Sequence, residues 1–198
     1  MRCILAVFVL LLTGGLAAQD KQPLITLEKE KSKMPPVASS ADVQVDYVGR
    51  LRGNRALYRV DHQNYSKYGY LDEKGDVVIE ARFNSAGKFF EGMAKVQTGQ
   101  FSFRKSLYRW GYINTVGHLV IAQEFDDAGD FSDGLAAVGK ISGWFMKRRM
   151  RYGYIDKIGS LVIEHQFDHA GNFTEGLAPV RKGKKRGHIN RKGDFVID

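Results

Sequence analysis

Two stretches carry the side chains with the clearest capacity for chemistry. Gly99 to Arg109 holds Phe101, Phe103, Arg104, Lys105, Tyr108 and Arg109. Gly139 to Arg151 holds Trp144, Phe145, Lys147, Arg148, Arg149 and Arg151. Guanidinium and ammonium groups interleaved with aromatic rings suit an anionic partner, because the charges attract at long range and the rings add contact area. Segments 99–109, 139–151 and 181–186 together contain thirteen Lys or Arg and no Asp or Glu. Loops 124–133 and 164–175 contain eight Asp or Glu and no Lys or Arg. This separation predicts a basic edge and an acidic edge. Two outcomes stand side by side: the basic edge docks on an anionic partner, or it lies against the acidic loops of the next unit and is neutralised within the molecule.

Other constellations carry weaker signals. His165 and His169 are four apart but flank Phe167 in an expected loop, with no third ligand in view, so they read as exposed histidines rather than a zinc pair. Asp126, Asp127, Asp130 and Asp133 lack the spacing of a calcium-binding helix–loop–helix and read as solvated acids. Asp168 and Glu175 could be drawn as a glycosidase pair, yet both have counterparts in other parts of the chain, which favours an architectural role. Phosphate-loop, nucleophile-elbow and dinucleotide patterns do not occur. The chain is therefore expected not to be an enzyme and to need no cofactor or metal.

The elements that must position these groups are set by an internal repeat. Tyr68 to Val96, Trp110 to Val138 and Tyr152 to Val180 are three versions of one pattern, and Arg186 to Asp198 is a shortened fourth. Gly69, Gly111 and Gly153 are spaced by 42 residues, as are Gly92, Gly134 and Gly176. A fixed period of this length determines architecture before any site is considered.

Within each copy, local chemistry specifies hairpins. Trp110, Tyr112 and Asn114 alternate with Gly111 and Ile113, as a half-buried strand requires. Asn114-Thr115-Val116-Gly117 is a turn, with Asn bonding the backbone beyond it and Gly taking positive φ. Asp72 with Gly75, Asp156 with Gly159 and Asn190 with Gly193 repeat the arrangement. A β-branched return strand follows, for instance Leu119-Val120-Ile121. Phe125 and Phe131 then flank Ala128-Gly129, with the rings expected in the core and the glycine at a bend. Gly134 to Val138 reads as a third strand, and Gly111 and Gly134 are expected where backbone passes close over a neighbouring aromatic.

The pattern of these residues resembles the WG-repeat family, named for a Trp-Gly pair that Trp110-Gly111 supplies literally. Tyr68 and Tyr152 stand for the tryptophan, while Arg186 and His188 depart from the pattern. The resemblance covers about Tyr68 to Asp198. It implies an all-β repeat protein of a kind often exported by bacteria and regarded as a binding or interaction module, without catalytic residues at the motif positions.

The expected fold is all-β: an array of antiparallel β-hairpin repeats of 42-residue period, curved and solenoid-like. The alternative is a closed four-unit, propeller-like ring completed by the two terminal half-units, which would remove exposed edges. The expected layout is a signal peptide (1–18), a flexible linker (19–42) and a repeat domain (43–198). That domain divides into a half-unit (43–67), units 68–109, 110–151 and 152–185, and the truncated unit 186–198. Ala56 to Val60 is aligned with Gly92 to Val96. Cys3 to Leu12 is apolar and preceded by Arg2, which reads as an export signal rather than a span; a span needs about 20 apolar residues. Cys3 is the only cysteine, so the exported chain would hold no thiol for a disulfide, a metal site or a nucleophile.

The formal charge of +8 directs attention to anionic partners. Export points to a periplasmic or cell-surface setting in a bacterium. It favours a protein or an anionic cell-envelope polymer as partner, and nucleic acid is not expected. The expected function is a non-catalytic binding module. A purely structural or assembly role, and an enzyme acting on an envelope polymer, are the alternatives.

Overall fold

The computed structural model describes residues 44–47, 54–99, 101–102, 105–106, 108–143 and 148–197, with backbone only for 44–47, 101–102, 105–106 and 197. The expected leader and linker lie outside the described residues. Among the described residues there is no helix, and hence none long and apolar enough to cross a membrane.

The chain folds into four four-stranded antiparallel sheets. The first contains β1 (Gln44–Tyr47), β2 (Ala56–Asp61), β3 (Ser66–Leu71) and β4 (Val77–Phe83). The second contains β5 (Ser85–Ala86), β6 (Met93–Thr98), β9 (Arg109–Asn114) and β10 (Leu119–Phe125). A two-stranded ribbon, β7 (Phe101–Ser102) with β8 (Lys105–Ser106), projects between β6 and β9. The third sheet is β11 (Asp127–Ala128), β12 (Ala136–Ser142), β13 (Arg149–Ile155) and β14 (Leu161–Phe167). The fourth is β15 (His169–Ala170), β16 (Ala178–Lys182), β17 (Lys185–Ile189) and β18 (Phe195–Ile197).

The sheets are out of phase with the sequence repeat. Each takes its first two strands from the end of one copy and its last two from the start of the next. The terminal segments therefore contribute to complete sheets instead of standing as half-units. The pairing also moves the expected alignment of the first segment by two residues. Ala56 pairs with Leu71 as Ala94 pairs with Ile113, so Ala56 matches Ala94 and Tyr58 matches Val96.

The turns follow the expected chemistry. Asn114 Oδ1 accepts from the N–H groups of Val116 (3.2 Å) and His118 (2.9 Å), and Gly117 takes φ 85°. Asp72, Asp156 and Asn190 do the same. Gly134 departs from expectation. With Asp133 it forms a two-residue turn at φ 52° and 76°, in which Ser132 and Leu135 exchange N–H···O bonds of 2.9 and 3.1 Å. Both central residues must be left-handed in such a turn, so the glycine answers a backbone demand and not a crowded crossing.

Gly111 is the crowded one, and what crowds it is the backbone of β10 together with the Gln123 side chain. Between the pairs Tyr112–Ile121 and Trp110–Phe125 the register slips, bulging β10 over the glycine. A Cβ there would lie 2.5 Å from the Ile121 carbonyl oxygen and 2.9 Å from the Ala122 carbonyl carbon. The Trp-Gly signature thus marks a bulge that only a missing side chain allows.

Stacking of the sheets makes the core. One cluster joins Leu57, Tyr70, Ile79 and Phe83 of the first sheet to Val96 and Ile113 of the second, with Phe89 from the turn before β6. Equivalent clusters join the second sheet to the third and the third to the fourth. As expected, both phenylalanines of each loop are buried; Phe125, Phe131, Phe167 and Phe173 are at most 2 % exposed. Alternation sends Ala136, Val138 and Ile155 toward the preceding sheet, and Ala137 and Tyr154 toward the following one. Gly129 does not turn the chain through positive φ. Its carbonyl accepts the Tyr112 hydroxyl at 2.8 Å, while its N–H donates to Ala137. Among the described residues no cluster joins the first sheet to the fourth, so the architecture is an open array and the ring is not formed.

Candidate functional site

The long connections do form hairpins. In the third sheet, pairing of β12 with β13 runs past the core to Ser142 opposite Arg149. In the second sheet, the ribbon places Phe101 opposite Ser106 and Ser102 opposite Lys105. Of the predicted contact residues, Phe103, Arg104, Trp144, Phe145 and Lys147 lie outside the described residues, and Phe101 and Lys105 are described by backbone alone. The structure therefore places five side chains of that set: Tyr108, Arg109, Arg148, Arg149 and Arg151.

Two of the five are already neutralised. Arg109 Nη2 lies 3.2 Å from Asp126 Oδ1. The other Asp126 oxygen accepts the Ile141 N–H at 2.8 Å, so one carboxylate ties β9 to β12 of the next sheet. Arg151 makes the corresponding pair with Asp168, whose second oxygen accepts the Gly183 N–H at 2.6 Å. That N–H bond, with Arg151, Arg181 and Arg149 nearby, holds Asp168 below the usual carboxylate range. Lys140 Nζ is 3.1 Å from Glu124 Oε2 and lies over the Phe125 ring. Basic hairpin bases thus do lie against acidic loops. Tyr108 is half-buried, whereas Arg148 and Arg149 are exposed and make no ion pair among the described residues.

The aspartates expected to be solvated have work in the scaffold. Asp127 Oδ2 accepts the Tyr152 hydroxyl at 2.7 Å, and burial followed by this bond pushes the phenol up to about 12. Asp130 stands 3.2 Å from Lys95, and Asp133 accepts the Gly176 N–H at 2.9 Å. Asp133 has a counterpart in Glu91, which accepts from Gly134 N–H and pairs with Lys157. These bonds link each two-residue turn to the next one along the array. His165 and His169 are strand residues, not loop residues: His165 is half-buried in β14, and burial, then the charge of Lys140, pulls its imidazole below the ordinary value. His169 is exposed in β15. Asp168 is held by Arg151 and the Gly183 N–H, and Glu175 sits at φ 53° in a two-residue turn.

The sequence pattern gave little weight to a groove of about 440 Å³ on the fourth sheet, lined by His169, Pro179, Arg181, Arg186 and His188 around Val180 and Gly187. The signal for it was present as the departure of Arg186 and His188 from the repeat. Its meaning depended on which face of the sheet they occupy.

Comparison with known proteins agrees with the phase of the sequence repeat. A family model described as WG containing repeat matches residues 68–100, 110–140 and 152–185. No curated protein and no solved structure matches the chain.

Proposed function

The chain belongs to the WG-repeat family, and on that footing we propose that it is a non-catalytic binding module whose long basic hairpins contact an anionic partner. The observation that carries this reading is the contrast along the β12–β13 hairpin. At its base Lys140 and Arg151 are consumed by Glu124 and Asp168. Beyond them Arg148 and Arg149 stand exposed, with Arg149 opposite Ser142. Cations already paired contribute to the scaffold; unpaired ones at a projecting tip steer encounters. The apolar run Cys3 to Leu12 supports an exported setting, periplasmic or at the cell surface, where a protein or an anionic envelope polymer would be met.

The test is titration calorimetry of the full chain with polygalacturonate, neutral dextran as control, against Arg148→Glu/Arg149→Glu. Binding to the anionic polymer alone, weakened by salt and at least fivefold weaker in the double variant at unchanged melting temperature, supports the reading. Equal binding by both proteins, or none by either, rejects it. A second reading, a purely structural assembly module, draws on the Arg109–Asp126 and Arg151–Asp168 pairs, which spend basic residues on joining successive sheets.

A further inference from the structure

Among the described residues, one face of the fourth sheet is covered by no other sheet. In the third sheet that face presents the row Asp127, Gly139, Tyr152 across three strands. The row beside it is Ala137 and Tyr154. Tyr154 reaches the next sheet, where its hydroxyl donates to Gly171 at 2.8 Å and its ring meets Phe173 edge-on at 4.8 Å. In the fourth sheet the same register positions are His169, Arg181 and Arg186 in one row, and Pro179 and His188 in the other. Every residue of these two rows differs from its counterpart in the third sheet. Because directly opposed strand residues share a face, the two guanidiniums and two imidazoles surround one groove, with Pro179 as an apolar wall.

A sheet face left open to solvent needs polar groups, and charges of mixed sign would meet that need. This face is of one sign. Arg181 stands directly opposite Arg186, an arrangement that repels across a strand pair. No carboxylate lines the groove. The acid that feels Arg181, Asp168, has its oxygens occupied by Arg151 and the Gly183 N–H. Among the described residues neither Arg181 nor Arg186 makes an ion pair. The neighbouring lysines are turned to other uses: Lys182 donates to Gln166 at 2.6 Å, and Lys185 lies over the Phe195 ring. Arginine is the side chain whose planar fork matches a phosphate oxygen pair.

We infer that this end groove is a binding site for a phosphate monoester, with Arg181 and Arg186 on its oxygens, His169 and His188 as flanking polar contacts, and Pro179 against the esterified body. A dianion answers two opposed guanidiniums, and the volume falls in the range of small-ligand sites, leaving room for a sugar-sized group. The site is independent of the hairpin tips.

Amide chemical shifts of the full chain would be followed during titration with glucose 1-phosphate, with vesicles containing phosphatidic acid, and with glucose and sulfate at matched ionic strength. Saturable shifts at Arg181, Gly187 and His188 with a phosphate ester, absent with glucose and at least tenfold weaker with sulfate, support the site. The arm that saturates identifies a soluble ester or a lipid headgroup as the source. Arg181→Gln/Arg186→Gln is expected to weaken binding at least tenfold without lowering the melting temperature, since it removes a repulsion; Arg148→Glu/Arg149→Glu is expected to leave the glucose 1-phosphate shifts at Arg181, Gly187 and His188 unchanged. No saturable shift in either phosphate arm, equal response to sulfate, or full binding by the arginine double variant overturns the inference. Loss of the glucose 1-phosphate shifts in the hairpin variant overturns the independence of the two surfaces.

Discussion

Replacing Tyr112 by Phe isolates the bond that joins the second sheet to the third. Tyr112 is fully buried, its ring packs edge-on to Phe131 at 4.9 Å, and its hydroxyl donates to the Gly129 carbonyl at 2.8 Å. Phenylalanine keeps the ring and its packing, so the apolar terms cancel. What remains is a half-buried carbonyl that loses its side-chain donor, a change that costs about 1–3 kcal/mol. Taking about 1.5 kcal/mol, and about 2–4 °C per kcal/mol for a domain of this size, the melting temperature should fall by about 3–6 °C. Tyr112→Ala also removes the ring and should cost about 3–5 kcal/mol by analogy with large-to-small core changes. Urea unfolding followed by circular dichroism measures both, and an unchanged dependence on urea would show that the folded and unfolded states are otherwise comparable. The same bond recurs at Tyr70 to Gly87 and Tyr154 to Gly171, so the corresponding variants should show losses of similar size. A Tyr112→Phe protein within about 0.3 kcal/mol of the parent, below the scatter expected for independent sites, would refute the claim that the hydroxyls couple successive sheets.

Gly111→Ala should destabilise by the ~1–3 kcal/mol typical of overpacking, because the new methyl meets bulge backbone that cannot swing away, even where the Gln123 side chain can; thermal unfolding would show it, and a neutral result would mean that the bulge relaxes. Alkaline pH should unfold the array. Burial, then Glu80, pushes Tyr58 up to about 12, and burial, then Asp127, does the same for Tyr152, while burial carries Tyr70, Tyr112 and Tyr154 higher still. The folded values exceed the ordinary phenol value of about 10, so the folded state holds protons that the unfolded state releases. Their contribution is complete below pH ~10, erodes above it and is lost once pH passes the folded values. Absorbance at the phenolate band should therefore rise together with loss of the sheet signal; full ionisation near pH 10 in a still-folded protein would contradict the burial.

Much of the fold could be read from the chain because its determinants are local. Asn114 and Gly117 specify a turn through bonds spanning four residues, and the same pair of residue types does so in every copy. Phe125 and Phe131 announce burial through the repeat alone. The role of Gly134 was misread because a demand for positive φ and a demand for space both select glycine; the two are separated only by the conformation of Asp133 beside it. Asp126 looked solvated for a similar reason. Its partners, Arg109 and the Ile141 N–H, come from strands 17 residues before and 15 residues after it, and only the stacking brings them together.

By itself the sequence determined the all-β class, the 42-residue period, the turn chemistry and the alternation of buried and exposed positions. Each of these follows from bonds and sterics within a few residues. The tertiary structure decided the phase in which copies share sheets, the openness of the array, the basic residues left unpaired and the exposure of one face of the fourth sheet. Those outcomes depend on which segments become neighbours after tens of residues of chain have been packed. Arg186 and His188 read as imperfections of the pattern until the fourth sheet placed them on a face that no other sheet covers among the described residues.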